Sequence, residues 1–162
     1  VLKVFPSLAK ALEPKAGLVE AYGEMDALRG VKRGNDIAWI VAHAVVGKDD
    51  KPQGLFLSGW SMRLYVGFVQ DAVRAKLDEK TKESSDKVEA YLFVVKGKVA
   101  VGHPDAPDVH AEELVKQDLV TKAAGGEARA KVELEGKTWG IVAKKSPMFG
   151  DDAVVAVIST IY

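Results

Sequence analysis

The sequence predicts an α+β fold: a five-stranded antiparallel sheet of strand order 2-1-5-4-3, preceded by a long helix and by additional N-terminal helices. A stretch with helical spacing runs into a series of short apolar segments, which predicts the helix and the sheet. Two of those segments, Tyr91–Val95 and Ala153–Ile161, are apolar on both faces, which is typical of central strands. The length predicts one domain over residues 1–162, with a helical extension (1–54) and a core (58–162).

Composition excludes several classes of function. Lys plus Arg equals Asp plus Glu at 23 each, so no charge bias indicates a nucleic-acid partner or an anionic membrane. The absence of cysteine excludes disulfides, thiolate metal sites and cysteine nucleophiles. Apolar runs reach about half of the ~20 residues that a spanning helix needs, so a membrane would be reached only through a segment outside this chain. We interpret a chain that opens at Val1 and closes in an apolar run as a processed protein or a fragment, from which a signal peptide or an anchor could have been removed.

The N-terminal third is predicted to be helical. Val1–Pro14 contains about two helical turns, and Gly17–Leu28 carries apolar residues at the spacing of an amphipathic helix. Ile37–Val46 has helical spacing but is also compatible with a buried strand, and its marginal length favours a helix. Gly47–Gly54 is polar and is expected to be a loop.

The long helix is expected to begin at Ser58 or Ser61 and to lie across the sheet. Its apolar residues form two adjacent rows, which are Trp60, Leu64, Phe68 and Ala72, and then Tyr65, Val69, Val73 and Leu77. Beyond Leu77 the apolar residues stop, and the balanced charges from Arg74 to Lys87 indicate a solvated helix end.

Five strands and one crossover follow. Lys96-Gly97 is a hairpin turn between the first two strands, and His110–Ala124 is a modest helix. The last three strands form a meander over Ala128–Leu134, Thr138–Lys145 and Ala153–Ile161. Because the first and fifth strands are apolar on both faces, they are expected to be central neighbours, which gives the order 2-1-5-4-3. No internal repeat is apparent in the sequence.

The catalytic and metal-binding motifs that we considered do not match. Gly136-Lys137-Thr138 lacks the earlier glycine of a phosphate-binding loop, and no nucleophile elbow or buried acidic pair is present. His103, Asp105, Asp108 and His110 lie close in sequence, but their spacing fits no metal signature and favours a surface loop. We therefore expect no enzyme activity, no cofactor and no metal.

A small ligand could lie where one crossover helix covers the sheet incompletely. Such gaps have apolar walls with a few polar groups, and Arg63 near the start of the long helix could pair with a carboxylate. The candidate ligand-binding residues are Trp60, Arg63, Tyr65, Tyr91, His103, Trp139 and Lys144.

Three segments resemble the PAS-like Cache sensor domains of bacterial chemoreceptors and histidine kinases. The hairpin Lys96–Pro104 is similar to one family motif, Gly136–Pro147 to a second, and Ala153–Ile161 to the last strand, so the resemblance covers roughly residues 58–162. It implies an extracytoplasmic, periplasmic domain that binds a small metabolite, often a carboxylate, between sheet and crossover.

We therefore expect a non-catalytic sensing domain of a bacterial signal-transduction protein that binds a small-molecule ligand, and a homodimer is one oligomeric state that this function allows. A cytoplasmic location is the alternative. The alternative function is a profilin-like or roadblock-like protein–protein interaction module, which has the same element order and would use an exposed face rather than a pocket.

Overall fold

A computed structural model of the protein describes residues 1–25, 36–82 and 87–161. The described residues form a three-stranded sheet and a five-stranded sheet, both antiparallel. The chain divides into two compact units, Val1–Met62 and Arg63–Tyr162, each containing one sheet. The predicted fold class, a single five-stranded sheet with additional N-terminal helices, is therefore wrong, because strands replace the N-terminal helices.

The first unit is a three-stranded meander with a 3₁₀ helix. The 3₁₀ helix is Pro6–Leu12, and the strands are β1 (Val19–Met25), β2 (Asp36–Val46) and β3 (Pro52–Ser61), in the order β1-β2-β3. One face of the sheet packs against the 3₁₀ helix, and the buried residues of this core are Phe5, Leu8, Ala11, Ala21, Ala38, Ile40 and Ala42. Small side chains on the strands leave room for the helix to lie close to the sheet.

Both helices predicted between residues 17 and 46 are strands where the structure describes them. In Gly17–Leu28, the described part pairs with β2 over Val19–Met25, while residues 26–28 lie outside the described residues. Ile37–Val46 pairs with β3 over residues 38–46 and with β1 over residues 37–42, its core face is buried at Ala38, Ile40 and Ala42, and its β-branched residues suit a strand. A short apolar run fits helical and strand spacing alike, and its length did not distinguish a helix from a strand in this segment.

The expected start of the long helix is also corrected. Residues 52–61 belong to β3, with Trp60 opposite Trp39 and Ser61 opposite Ala38. The helix α1 (Met62–Thr81) begins directly after this strand, so Trp60 lies on a strand and not on the helix.

The second unit contains the five-stranded sheet, in the order β5-β4-β8-β7-β6. Its strands are β4 (Val88–Lys96), β5 (Val99–Gly102), β6 (Glu127–Leu134), β7 (Lys137–Lys145) and β8 (Ala153–Ile161). This is the order 2-1-5-4-3 that was expected for these five strands. The reason is the expected one, since β4 and β8 are neighbours at the centre, where Val94 and Ala156 are fully buried.

The crossover covers one face of this sheet. It consists of α2 (Asp108–Lys116), α3 (Leu119–Lys122) and a 3₁₀ turn (Ala123–Gly125). Phe93, Trp139 and Ile158 on the strands pack with Leu114 and Leu119 on the helices in one apolar core. Two tight hairpins complete the sheet, and in the second of these both turn residues have positive φ, Glu135 at 52° and Gly136 at 76°.

Helix α1 contacts the sheet at the edge of β4 that β5 leaves unpaired. β5 pairs with β4 only over Phe93–Lys96, and the backbone N–H of the next β4 residue, Leu92, donates to Gln70 Oε1 at 2.9 Å. Val66 and Gln70 are buried. Leu64 and Phe68 belong to an apolar row that was expected to face the sheet, but their side chains are 59% and 76% exposed. Among the described residues, no helix is long and apolar enough to span a membrane.

Candidate functional site

The candidate site is a small cavity at the start of α2. Its volume is about 40 Å³, and its lining includes Arg63 from α1, His103 after β5, and Pro107, Asp108 and Ala111 around the first turn of α2. A cavity of this size has room for about three water molecules or for a carboxylate-sized group. It is therefore a site for a small polar group rather than for a bulky apolar ligand.

His103 is held in position by its own loop. The backbone N–H of Asp105 donates to His103 Nδ1 at 3.1 Å, so a neutral His103 carries its proton on Nε2. The other edge of the ring faces α1, because a Cβ placed on Gly67 would lie 3.5 Å from His103 Cδ2 and 4.0 Å from Nε2. His103 therefore contributes a hydrogen-bond donor at the junction of β5 and α1.

The cavity carries charges of both signs. Arg63 brings a permanent positive charge, and the first turn of α2 adds the partial positive charge of a helix N-terminus. Two carboxylates oppose an anionic ligand, Asp108 in the lining and Asp105 at 3.5 Å from His103 Nδ1, but both residues are exposed, so water and salt screen their charges. The cavity thus combines the hydrogen-bond donors of Arg63 and His103, which match a carboxylate.

A buried aromatic cluster lies farther along the same face of the sheet. His110 of α2 is fully buried, with ring centroids 4.3 Å from Trp139 and 5.2 Å from Tyr91. Among the described residues, neither ring nitrogen of His110 has a hydrogen-bond partner, and neither does Trp139 Nε1. Burial lowers the pKa of His110, against the opposing effect of Glu135 and Glu89, so His110 is neutral at pH 7.

The aromatic cluster is linked to α1 through Tyr91. The Arg74 guanidinium lies over the Tyr91 ring, 5.5 Å from its centroid, and the Tyr91 hydroxyl donates to Glu89 at 2.8 Å. Glu89 also faces Lys137 Nζ at 3.4 Å. Helix α1 therefore contacts both the cavity, at Arg63, and the cluster, at Arg74.

The predicted ligand-binding residues fall into separate groups. Arg63 and His103 line one cavity, and Tyr91 and Trp139 meet in the aromatic cluster. Tyr65 instead packs edge-on against the buried ring of Phe149, with ring centroids 5.2 Å apart.

Two other candidates lie elsewhere. Lys144 is on the face of β7 opposite to Trp139, where it lines an open apolar patch with Val142 and Val157. Trp60 belongs to the first unit, where it stacks on Trp39 at 4.8 Å.

His110 is the residue that sequence reasoning missed as a member of the cluster. The sequence places it beside His103, Asp105 and Asp108 in a spacing that fits no metal signature and favours a surface loop. Among the described residues, no three His, Cys, Asp or Glu side chains gather into a metal site. The available signal was its spacing of four from the apolar Leu114, which places both on one helix face.

The first unit carries an aromatic ladder on the face of its sheet that is opposite to the core. Tyr22, Trp39 and Trp60 lie on neighbouring strands at paired positions and stack, with centroid distances of 6.2 Å and 4.8 Å. Glu20 accepts hydrogen bonds from the Tyr22 hydroxyl and from Trp39 Nε1. Burial and the neighbouring Glu20 raise the pKa of Tyr22 to about 12. Sequence reasoning missed this ladder because it placed Tyr22 and Trp39 on helices.

Comparison of the chain with models of known protein families and with curated proteins gives no match.

Proposed function

We propose that the second unit is a non-catalytic sensing domain of a bacterial signal-transduction protein that binds a small carboxylate. The observation that carries this proposal is the convergence of Arg63, His103 and the first turn of α2 on one small cavity. A carboxylate there would pair with the guanidinium and accept a hydrogen bond from the Nε2–H of His103. The resemblance of residues 58–162 to PAS-like Cache sensors supports the same function and a periplasmic location, with the cytoplasm as the alternative.

Helix α1 is suited to report ligand binding. Arg63 lies at the cavity, Gln70 holds the edge of β4, and Arg74 covers Tyr91, so one rigid element contacts all three places. A ligand that pulls on Arg63 would favour one position of α1 over another, and its differential affinity for the two positions sets the size of the response. The output would then be a shift of α1 rather than a chemical reaction.

The test is a thermal-shift screen of the whole chain against small carboxylates, with acetate, lactate, pyruvate, succinate and single amino acids as probes. Binding stabilises the folded state by mass action, by about 2.7 kcal/mol at a concentration of 100 Kd. Arg63→Ala is expected to abolish the shift, and Arg129→Ala, which removes an exposed arginine of β6, is the matched control. No shift with any probe, or an equal shift in Arg63→Ala, would overturn the proposal.

A protein-interaction function is the second candidate, and one observation favours it. Leu64 and Phe68 are one turn apart on α1 and are largely exposed, which is typical of a helix face that docks in a groove. Profilin-like and roadblock-like modules bind protein partners through such an exposed face. Phe68→Ser is expected to weaken the binding of a protein partner and to leave carboxylate binding unchanged. Isothermal titration of the variant with both kinds of partner would separate the two functions.

A further inference from the structure

The exposed edge of β3 lacks the features by which proteins prevent strands from pairing. Charged residues, short length and bulges normally protect an edge strand. β1 carries a glutamate at 20, β6 carries four charged residues, and β5 has only four residues. β3 is ten residues long and has no charged residue. Its register with β2 shifts at one place, near the start of β3, where Val46 pairs with Pro52. Among the sheet edges of the described residues, β3 is the one that is open to pairing.

The second unit shows what lies against the equivalent strand. In both meanders the middle strand carries Ile-Val-Ala with the Ile and the Ala buried, at Ile40–Ala42 in β2 and at Ile141–Ala143 in β7. The first strand of each meander places an alanine opposite that Ile, Ala21 and Ala130. β3 therefore occupies the position of β8, and β8 is paired on its outer side with β4 over nine residues. By this comparison, the outer edge of β3 is a place for a further antiparallel strand.

The aromatic ladder indicates which strand fits. Tyr22, Trp39 and Trp60 stack across the three strands, and the ladder stops at Trp60, which is 53% exposed at the edge. Phe56 is four residues away on the same face of β3 and is 64% exposed. A strand that places an aromatic ring opposite Trp60 would extend the ladder by one residue, and a second ring opposite Phe56 would cover that exposed side chain as well.

We propose that a second copy of this chain pairs β3 with β3 across a two-fold axis at Ser58. A two-fold axis makes the two strands antiparallel, and with Ser58 opposite Ser58 it places Phe56 of each copy opposite Trp60 of the other. An axis at Leu57 would instead place Phe56 opposite Ser58, and an axis at Phe56 would place Trp60 opposite Pro52. The Ser58 axis pairs both aromatic residues and joins the two sheets into one six-stranded sheet, without bringing like charges together.

The absence of native cysteine makes the register directly testable. In Ser58→Cys the two thiols face each other across the axis, where opposed Cα atoms are about 4.5–5.5 Å apart, within the range that a disulfide spans. Mild oxidation of the full chain with diamide is expected to give a covalent dimer on non-reducing gels. Arg129→Cys, in the middle of the charged edge strand β6, is the matched control and is expected to stay monomeric.

A second measurement keeps the proposal independent of cross-linking. The unmodified chain is expected to elute as a dimer in size-exclusion chromatography with light scattering, and Phe56→Lys is expected to elute as a monomer. Because Phe56 is exposed, this variant should keep the circular dichroism of the native chain. A monomeric native chain, or cross-linking of Ser58→Cys no faster than that of Arg129→Cys, would overturn the proposal and would leave the β3 edge to a different polypeptide segment.

Discussion

Replacing His110 with leucine is expected to stabilise the protein, although His110 is fully buried. Both of its ring nitrogens are buried without a partner among the described residues, and each such group costs about 1–3 kcal/mol. Leucine has a similar volume and adds an apolar side chain next to Leu114. The lost ring contacts with Trp139 and Tyr91 offset about 0.5–1.5 kcal/mol each of this gain. We expect a net gain of about 1–3 kcal/mol at pH 7 in the free energy of unfolding.

The same substitution is expected to change the dependence of stability on pH. Because burial lowers the pKa of His110, the unfolded chain takes up this proton at a higher pH than the folded chain does. Native stability therefore falls as the pH drops below about 6.5, the ordinary pKa of histidine, and it continues to fall towards the lower pKa of the folded state. The leucine variant lacks this proton, so its advantage over the native protein should be larger at pH 5 than at pH 7.

Urea unfolding of the whole chain at a series of pH values between 5 and 8 measures both effects. His43→Leu is the matched control, because His43 is exposed and its Nδ1 contacts the backbone oxygen of Ala44. This control should leave the decline below pH 6.5 in place. A leucine variant at 110 that is less stable than the native protein at pH 7, or that keeps the native decline with pH, would refute the reasoning about unpartnered ring nitrogens.

Three further substitutions test contacts within the first unit or within the second. Gly59→Ala should lower the melting temperature, since the added Cβ would lie 2.6 Å from the backbone oxygen of Trp39. Gly54→Ala in the same strand is the control and should leave the melting temperature unchanged, because among the described residues no atom lies within 4 Å of its Cβ. Equal effects of the two substitutions would contradict this geometry. Gln70→Met removes the acceptor of the buried Leu92 amide, which costs about 1–3 kcal/mol, and it also removes the buried Gln70 Nε2, which has no partner among the described residues and offsets a similar amount. Urea unfolding should therefore show a small net change in the free energy of unfolding, and a loss of more than about 3 kcal/mol would contradict this balance. Native stability should fall as the pH rises from about 10 towards 12, because the raised pKa of Tyr22 means that this tyrosine ionises at a lower pH in the unfolded chain than in the folded chain. Tyr22→Phe should reduce this fall, which phenolate absorbance and circular dichroism can monitor. A fall of the same size in the variant would refute the prediction.

The strand order of the second sheet could be predicted from the sequence because burial on both faces leaves a distinct pattern. β4 and β8 are continuous apolar runs and β6 alternates, and once the first hairpin and the last meander are formed, placing the two continuous runs side by side gives the observed order. The convergence of Arg63 and His103 could be anticipated in part, since both were proposed as ligand contacts. Tyr91 and Trp139 were also proposed as ligand contacts, but the structure brings them together in the aromatic cluster and not in the cavity.

The first unit could not be predicted, for a physical reason. A middle strand is usually recognised by alternation, but β2 is apolar on both faces because its outer face carries the ladder residue Trp39 as well as Val41. In the neighbouring strand, Leu18, Ala21, Tyr22 and Met25 also fit a helical stripe. Spacing alone does not separate these alternatives over such short stretches, and the pairing between the strands decides them.

The hydrogen bond between Leu92 and Gln70 limits how α1 can move. A strand advances about 3.3 Å per residue and a helix 1.5 Å, so a helix beside a strand can match its hydrogen-bonding groups at one place but not along a ladder. If α1 slides along β4, the amide of Leu92 loses its acceptor at once, and the next side chain on that face is Arg74, one turn of about 5.4 Å away, which offers no acceptor. Sliding of α1 along β4 is therefore expected to have one hydrogen-bonded position, and any other position leaves the amide of Leu92 without this acceptor.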